Sequence, residues 1–158
     1  MMDGSIQSQI VQFNLLFKRY DDIYRRAAKQ FDMPELTLWI LYALREKPDC
    51  TQKDLTDLLL QPKQSIHAAL KTLIADGYVV LEHPEHNRRS KFIRLTDAGA
   101  ALAGDTADRI VQAEQSAFLT LTEGERETIL SLFDRLCTAM QEALRRIEHE
   151  VHTPGETA

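Results

Sequence analysis

Cysteine is scarce in this sequence, with only Cys50 and Cys137 among 158 residues. That excludes a fold stapled by a disulfide framework. Long apolar runs are lacking too. The longest nearly apolar stretch, "LTLWILYAL" (36–44), is far shorter than the roughly 20 residues that span a bilayer. The N-terminus lacks the basic-then-apolar pattern of a secretory signal, so the expected location is a reducing cytoplasm. No glycine-rich phosphate loop, no Cys/His or Ser/His/Asp constellation and no paired-carboxylate pattern is present. An enzyme is therefore not expected, nor a cofactor. Internal repeats and low-complexity tracts are missing as well. What remains, 44% hydrophobic and 27% charged, is the composition of a folded chain.

The net charge of −5 argues against nucleic acid, but its distribution does not. Residues 1–50 are balanced. Residues 51–96 hold seven basic and five acidic residues, and residues 97–158 hold five basic and twelve acidic. Sign asymmetry between segments is informative where the total is not. The acidic last third is expected to keep DNA on the other face, or simply to aid solubility.

Apolar positions Ile6, Ile10, Phe13, Phe17, Tyr20, Tyr24 and Ala27 alternate in steps of four and three. They predict a long amphipathic helix over 5–31, widened by Leu16 and Ile23 and ended at Pro34. A second helix, 35–46, is apolar almost all round and should be buried on several sides. Thr51, with Asp54 three residues on, starts a short third helix whose Leu55, Leu58 and Leu59 face inward. Pro62 fits the first turn of a fourth helix, whose Ile66, Leu70, Leu73 and Ile74 form one apolar face, and Gly77 ends it. The runs "YVVLEH" (78–83) and "KFIRL" (91–95) read as a hairpin. Thr96 caps a fifth helix expected to run unbroken to about 118. Thr122 and Glu125 form a capping box for a sixth, expected to reach about 151, with Ile129, Phe133, Leu136, Met140, Ala143 and Ile147 in the same four–three rhythm. The tail 152–158 should fray.

Helix, short helix, tight turn, helix and hairpin, in that order over 35–95, make a winged helix-turn-helix. The predicted fold class is mainly α, six helices with a small β-hairpin wing. Lys63, Gln64, Ser65, His67, Ala68 and Lys71 lie on the outer side of the fourth helix, which suits a major groove. Asn87, Arg88, Arg89 and Lys91 lie in or beside the hairpin loop, which suits an adjacent minor groove. Double-stranded DNA is the expected partner.

The stretch "TQKDLTDLLLQPKQSIHAALKTLIADGYV" followed by "NRRSKFIRLTDAG" resembles the MarR family of bacterial transcription regulators, and the resemblance covers nearly the whole chain. Its most specific parts are Leu73 to Val79 and the "R-L-T-x-x-G" of Arg94 to Gly99. The resemblance implies a dimer intertwined through the N-terminal and the last two helices, placing two recognition helices on a pseudo-palindromic operator. Two departures stand out. Asn87 occupies the place of the family's wing aspartate, and Ala68 a place where arginine is common.

Independently of the resemblance, two long helices at opposite ends of the chain each carry a stripe that one chain has too little else to cover. A two-fold homodimer through Ile6, Ile10, Phe13, Phe133, Leu136, Met140 and Ile147 follows. The implied domains are a dimerisation helix (1–34), the winged domain (35–98), C-terminal dimerisation helices (99–151) and the tail. The resemblance also implies a small, often phenolic effector between the dimer helices and the winged domain. Phe17, Tyr20, Trp39 and Tyr42 are candidates for its pocket, although an aromatic at helical spacing is more often core. Cys50 lies just before a helix start, where the helix dipole lowers a thiol pKa, which keeps a redox-responsive repressor as an alternative. The pairs His83/His86 and His149/His152 have metal-like spacing but no third ligand, so no metal is expected. A winged-helix protein–protein module that has lost DNA binding is the other alternative.

Overall fold

The computed structural model describes residues 5–83 and 91–152. Among them are seven helices and one two-stranded sheet, in the order α1 (Ile6–Gln30), α2 (Glu35–Glu46), α3 (Gln52–Leu59), α4 (Lys63–Ala75), β1 (Val79–Glu82), β2 (Phe92–Leu95), α5 (Asp97–Asp105), α6 (Ala107–Phe118) and α7 (Glu123–His152). The described residues fall into two compact units that divide within α6, between Gln112 and Ala113.

In the first unit α2 is the hub. It packs against α1, α3, α4, α5 and β2, because its apolar residues go all round: Leu38, Ile40, Leu41, Ala43 and Leu44 are all buried. Leu55 of α3, Ile66, Leu70 and Leu73 of α4, Val79 and Ile93 of the hairpin, and Ala103 and Ala107 complete the core. From α1 only Tyr24 and Ala28 are buried. β1 and β2 pair antiparallel, Val79 opposite Leu95 and Glu82 opposite Phe92. A bridge between Cys50 and Ile93 adds the segment before α3 to the edge of the hairpin. The second unit is the end of α6, a tight turn and α7. There Arg126 donates to the Leu121 carbonyl of the turn at 2.6 Å and to the Phe118 carbonyl at the end of α6 at 3.4 Å.

Most element ends follow local chemistry. Thr51 and Asp54 bond reciprocally at the start of α3, and Thr122 and Glu125 do so at the start of α7. Four expectations need correction. The fifth helix is not continuous: it breaks at Thr106, whose backbone leaves the helical region (φ −127°, ψ −79°). Ala103 and Ala107, fully buried on either side, fix the chain there, and the Thr106 hydroxyl donates back to the Leu102 carbonyl at 2.7 Å. Leu58 does not face inward but is 58% exposed. Eight residues give α3 barely two turns, and the inward face is filled by Leu55 and partly by Leu59. Ile74 likewise lies at the margin of the buried face of α4, exposed rather than core. Pro62 stands one place earlier than expected, as the residue before α4 rather than in its first turn.

Candidate nucleic-acid interface

The site is built on the turn between α3 and α4. Asp54 accepts from the Thr51 amide at 2.8 Å and from its hydroxyl at 2.7 Å. Those two donors, the amide foremost, hold its carboxyl below the usual aspartate value. The turn itself needs a left-handed residue, and Leu60 takes that role at φ 51°, ψ 37°. Pro62 then sets the extended approach to α4. The Gln52 side-chain amide donates to the Lys63 carbonyl at 3.4 Å, linking the first residues of the two helices.

On α4 the two faces separate cleanly. Ile66, Leu70 and Leu73 are buried, while Lys63, Gln64, Ser65, His67, Ala68 and Lys71 are all exposed. The structure thus brings the six expected positions onto one solvent-facing surface, with the helix start at its edge. Neither Lys63 nor Lys71 makes an ion pair among the described residues.

The hairpin is tied down at its base. Thr96 caps α5 by accepting from the Gly99 amide at 3.0 Å, and its hydroxyl donates to the Gly77 carbonyl at 2.7 Å. Its own amide donates to the Tyr78 carbonyl at 3.0 Å. Gly77 sits at φ +76°, and a Cβ on Gly99 would stand 1.9 Å from the Tyr78 oxygen. This explains the spacing Thr96-x-x-Gly99 physically: one hydroxyl and one missing Cβ lock the wing to the helix after it. Arg94, opposite Val80, is held by Asp49 at 2.7 Å and Glu82 at 3.0 Å. Sequence reading missed this triad, whose members lie in three segments with no periodic signal joining them. Lys91 is exposed at the start of the returning strand. Asn87, Arg88, Arg89 and His86 lie outside the described residues.

Cys50 departs from its expectation. It is fully buried beside β2, and desolvation pushes its thiol up rather than down. Cys137 is exposed on α7. Among the described residues no three His, Cys, Asp or Glu side chains gather in a metal-binding group. No helix of the described residues is long and apolar enough to cross a membrane. The aromatic candidates form a chain: Tyr20 lies 5.2 Å from Tyr24, Tyr24 4.8 Å from Trp39 and Trp39 5.4 Å from Tyr42 between ring centroids. The hydroxyls of Tyr20 and Tyr24 share a 2.8 Å hydrogen bond. Phe17 is half-exposed on α1.

A two-helix turn, an amphipathic second helix and a hairpin locked behind it form a winged helix. Residues 31–90 match the sequence model of the MarR family. That segment takes in α2 to α4 and β1. The wider chain has the fold of MarR structures. NMB1585, a MarR family regulator from Neisseria meningitidis, superposes with TM-score 0.76 at 22% identity, over 87% of this chain and 97% of that one. MepR from S. aureus, in a DNA complex, gives TM-score 0.63 at 21% identity over 82% and 94%. BpsR from Bordetella bronchiseptica, whose DNA binding is regulated by 6-hydroxynicotinic acid, gives 0.62 at 20% over 87% and 96%. At these identities the likeness is one of fold. No curated protein matches the sequence significantly.

Proposed function

We propose that this MarR-fold protein is a homodimeric, sequence-specific double-stranded DNA-binding regulator, a repressor released by a small-molecule effector. The observation that carries the reading is the division of α4. Its buried row anchors the helix to α2 and α3, and its exposed row presents Lys63 and Lys71, which make no ion pair among the described residues, with Gln64, Ser65 and His67. A helix so mounted can enter a major groove, where Gln64 reads adenine and a lysine reads guanine or phosphate. Ala68 offers a thymine methyl an apolar contact. The hairpin, with Lys91 and the loop residues Asn87, Arg88 and Arg89, is the element for an adjacent minor groove.

The dimer is proposed from the surface of the long helices. Ile6, Ile10, Val11, Leu15, Leu16 and Ile23 of α1 are exposed. So are Ile129, Leu130, Leu132, Leu136, Met140, Leu144 and Ile147 of α7. Apolar surface on this scale is uncommon on a stable monomer. A second copy covers it, together with the exposed Phe13 and Phe133 of the same stripes. Two α4 helices then face half-sites about 34–36 Å apart. Unit boundaries at 1–34, 35–98 and 99–151 remain our assignment of dimerisation and DNA-binding roles.

The test is fluorescence anisotropy on the DNA flanking the protein's own gene, against a shuffled duplex, at two salt concentrations. Tight, salt-sensitive binding that prefers the native duplex is expected. Equal weak binding to both duplexes would replace this reading with that of a protein-binding winged helix.

A further inference from the structure

Arg45 and Asp108 lie 63 residues apart in the chain and meet as a fork. Arg45 Nε donates to Asp108 Oδ1 at 2.8 Å, and Nη2 donates to Oδ2 at 2.5 Å. Each charge stands at the helix end that favours it, Arg45 in the last turn of α2 and Asp108 in the first turn of α6. The pair is half-exposed, so it adds little to stability. What two parallel bonds between planar groups do fix is an angle.

The angle left to fix is that of α6. Two residues before Asp108 the chain leaves the helical region at Thr106. The Arg109 and Ile110 amides then donate to the Thr106 carbonyl, so α6 starts afresh. Beyond the break α6 sends only Ala107 and Ile110 into the core. One methyl and one branched side chain seat a helix without setting its direction. At the other end of the pair, α2 is the hub against which α4 packs. The fork therefore joins the helix that carries α4 to the helix that runs on, past Gln112, into the second unit.

We infer that Arg45 and Asp108 are positioning residues: they fix the direction in which α6 leaves the winged core, and with it the separation of the two α4 helices in the dimer. α6 has 12 residues, about 18 Å at about 1.5 Å each. A tilt of about 10° at Thr106 moves its far end by about 3 Å, close to one base-pair step of about 3.4 Å. An α6 without the fork lets the half-site spacing slip by a step. The first half of the inference stands on geometry; the second rests on the DNA-binding reading above.

The halves are tested apart. For the first, nitroxide labels at Ala75→Cys and Gln115→Cys, both exposed positions, measure α4 against α6 in the full-length protein. Cys137→Ser removes the exposed native thiol, and dilution with unlabelled chains removes distances between protomers. One narrow distance is expected. Arg45→Lys keeps the charge but not the fork, so it should broaden the distribution at least about 1.5-fold, as far as Arg45→Ala does. Thermal midpoints should stay close to the parent's. Arg45→Ala with Asp108→Ala should broaden it no further than either alone, because the two act as a unit. A parental width in Arg45→Lys overturns the clamp. Broadening that appears only as the thermal midpoint falls overturns it too, leaving a merely structural contact. For the second half, affinity is measured on duplexes whose half-sites are moved together or apart by one base pair. The parent should discriminate against both by about tenfold, the variants by less than about threefold. Broadening with spacing discrimination intact overturns the DNA half. A parent that binds no duplex refutes the DNA-binding reading, and the label distances still decide the clamp.

Discussion

Gly99→Ala sets two rules against each other. Gly99 lies inside α5, and alanine is the better helix former by about 1 kcal/mol. Propensity alone therefore expects stabilisation. The surroundings reverse the sign. The new Cβ would stand 1.9 Å from the Tyr78 oxygen, 2.8 Å from its carbonyl carbon and 3.3 Å from Leu95 Cδ2. Relief requires the α5 start and the hairpin base to part by more than about 1 Å, given an ordinary C···O contact of about 3.3 Å. Overpacking of this kind costs about 1–3 kcal/mol. The Thr96 amide bond to Tyr78 and the Thr96 cap are strained with it, for about 1 kcal/mol each. Net destabilisation of about 2–4 kcal/mol follows. In urea, at a slope of about 2 kcal/mol per molar, the midpoint falls by about 1–2 M. Gly104→Ala is the control on the same helix. Its Cβ would meet only Asp108 Oδ2, at 3.9 Å, and there propensity should win with a gain of up to about 1 kcal/mol. A Gly99→Ala midpoint equal to or above the parent value would refute the account of the wing lock.

Lys63→Ala and Lys71→Ala should each weaken binding to all duplexes and lower the slope of log affinity against log salt by about 1, read by anisotropy. Leu136→Asp combined with Ile10→Asp should yield a folded monomer by light scattering, because both residues lie on the exposed stripes of α7 and α1. Leu60→Gly should raise thermal stability by up to about 1 kcal/mol, since leucine at φ 51° carries strain that glycine relieves. For Asp54 the folded carboxyl titrates below its ordinary value of 3.8, so its contribution is full above that pH and lost as pH falls through the lowered value. Asp54→Asn should therefore be less stable than the parent at pH 7, with the difference closing at acid pH below the ordinary aspartate range.

The elements were legible in the sequence where a side chain announces a chain break. Pro34, Thr51, Pro62, Thr96 and Thr122 each stand at the residue before a helix. The split of α4 into a buried and an exposed row was legible for the same reason: a period of 3.6 is a local property. What was not legible depends on neighbours far along the chain. Thr106 breaks a helix because of what Ala103 and Ala107 pack into, and nothing local marks it. Cys50 reads as a helix-start thiol until Ile93 pairs beside it and removes it from water.

The separation of α4 into two rows also bears on how such a protein changes over generations. No exposed position of its outer row belongs to the buried core. Surface substitutions away from core and caps usually shift stability by no more than about 0.5 kcal/mol. Lys63, Gln64, Ser65, His67, Ala68 and Lys71 can therefore be rewritten almost freely while Ile66, Leu70 and Leu73 keep the helix seated. A gene duplicate could acquire a new recognition surface by a few point changes, each intermediate still folded, and the scaffold would carry no trace of the change.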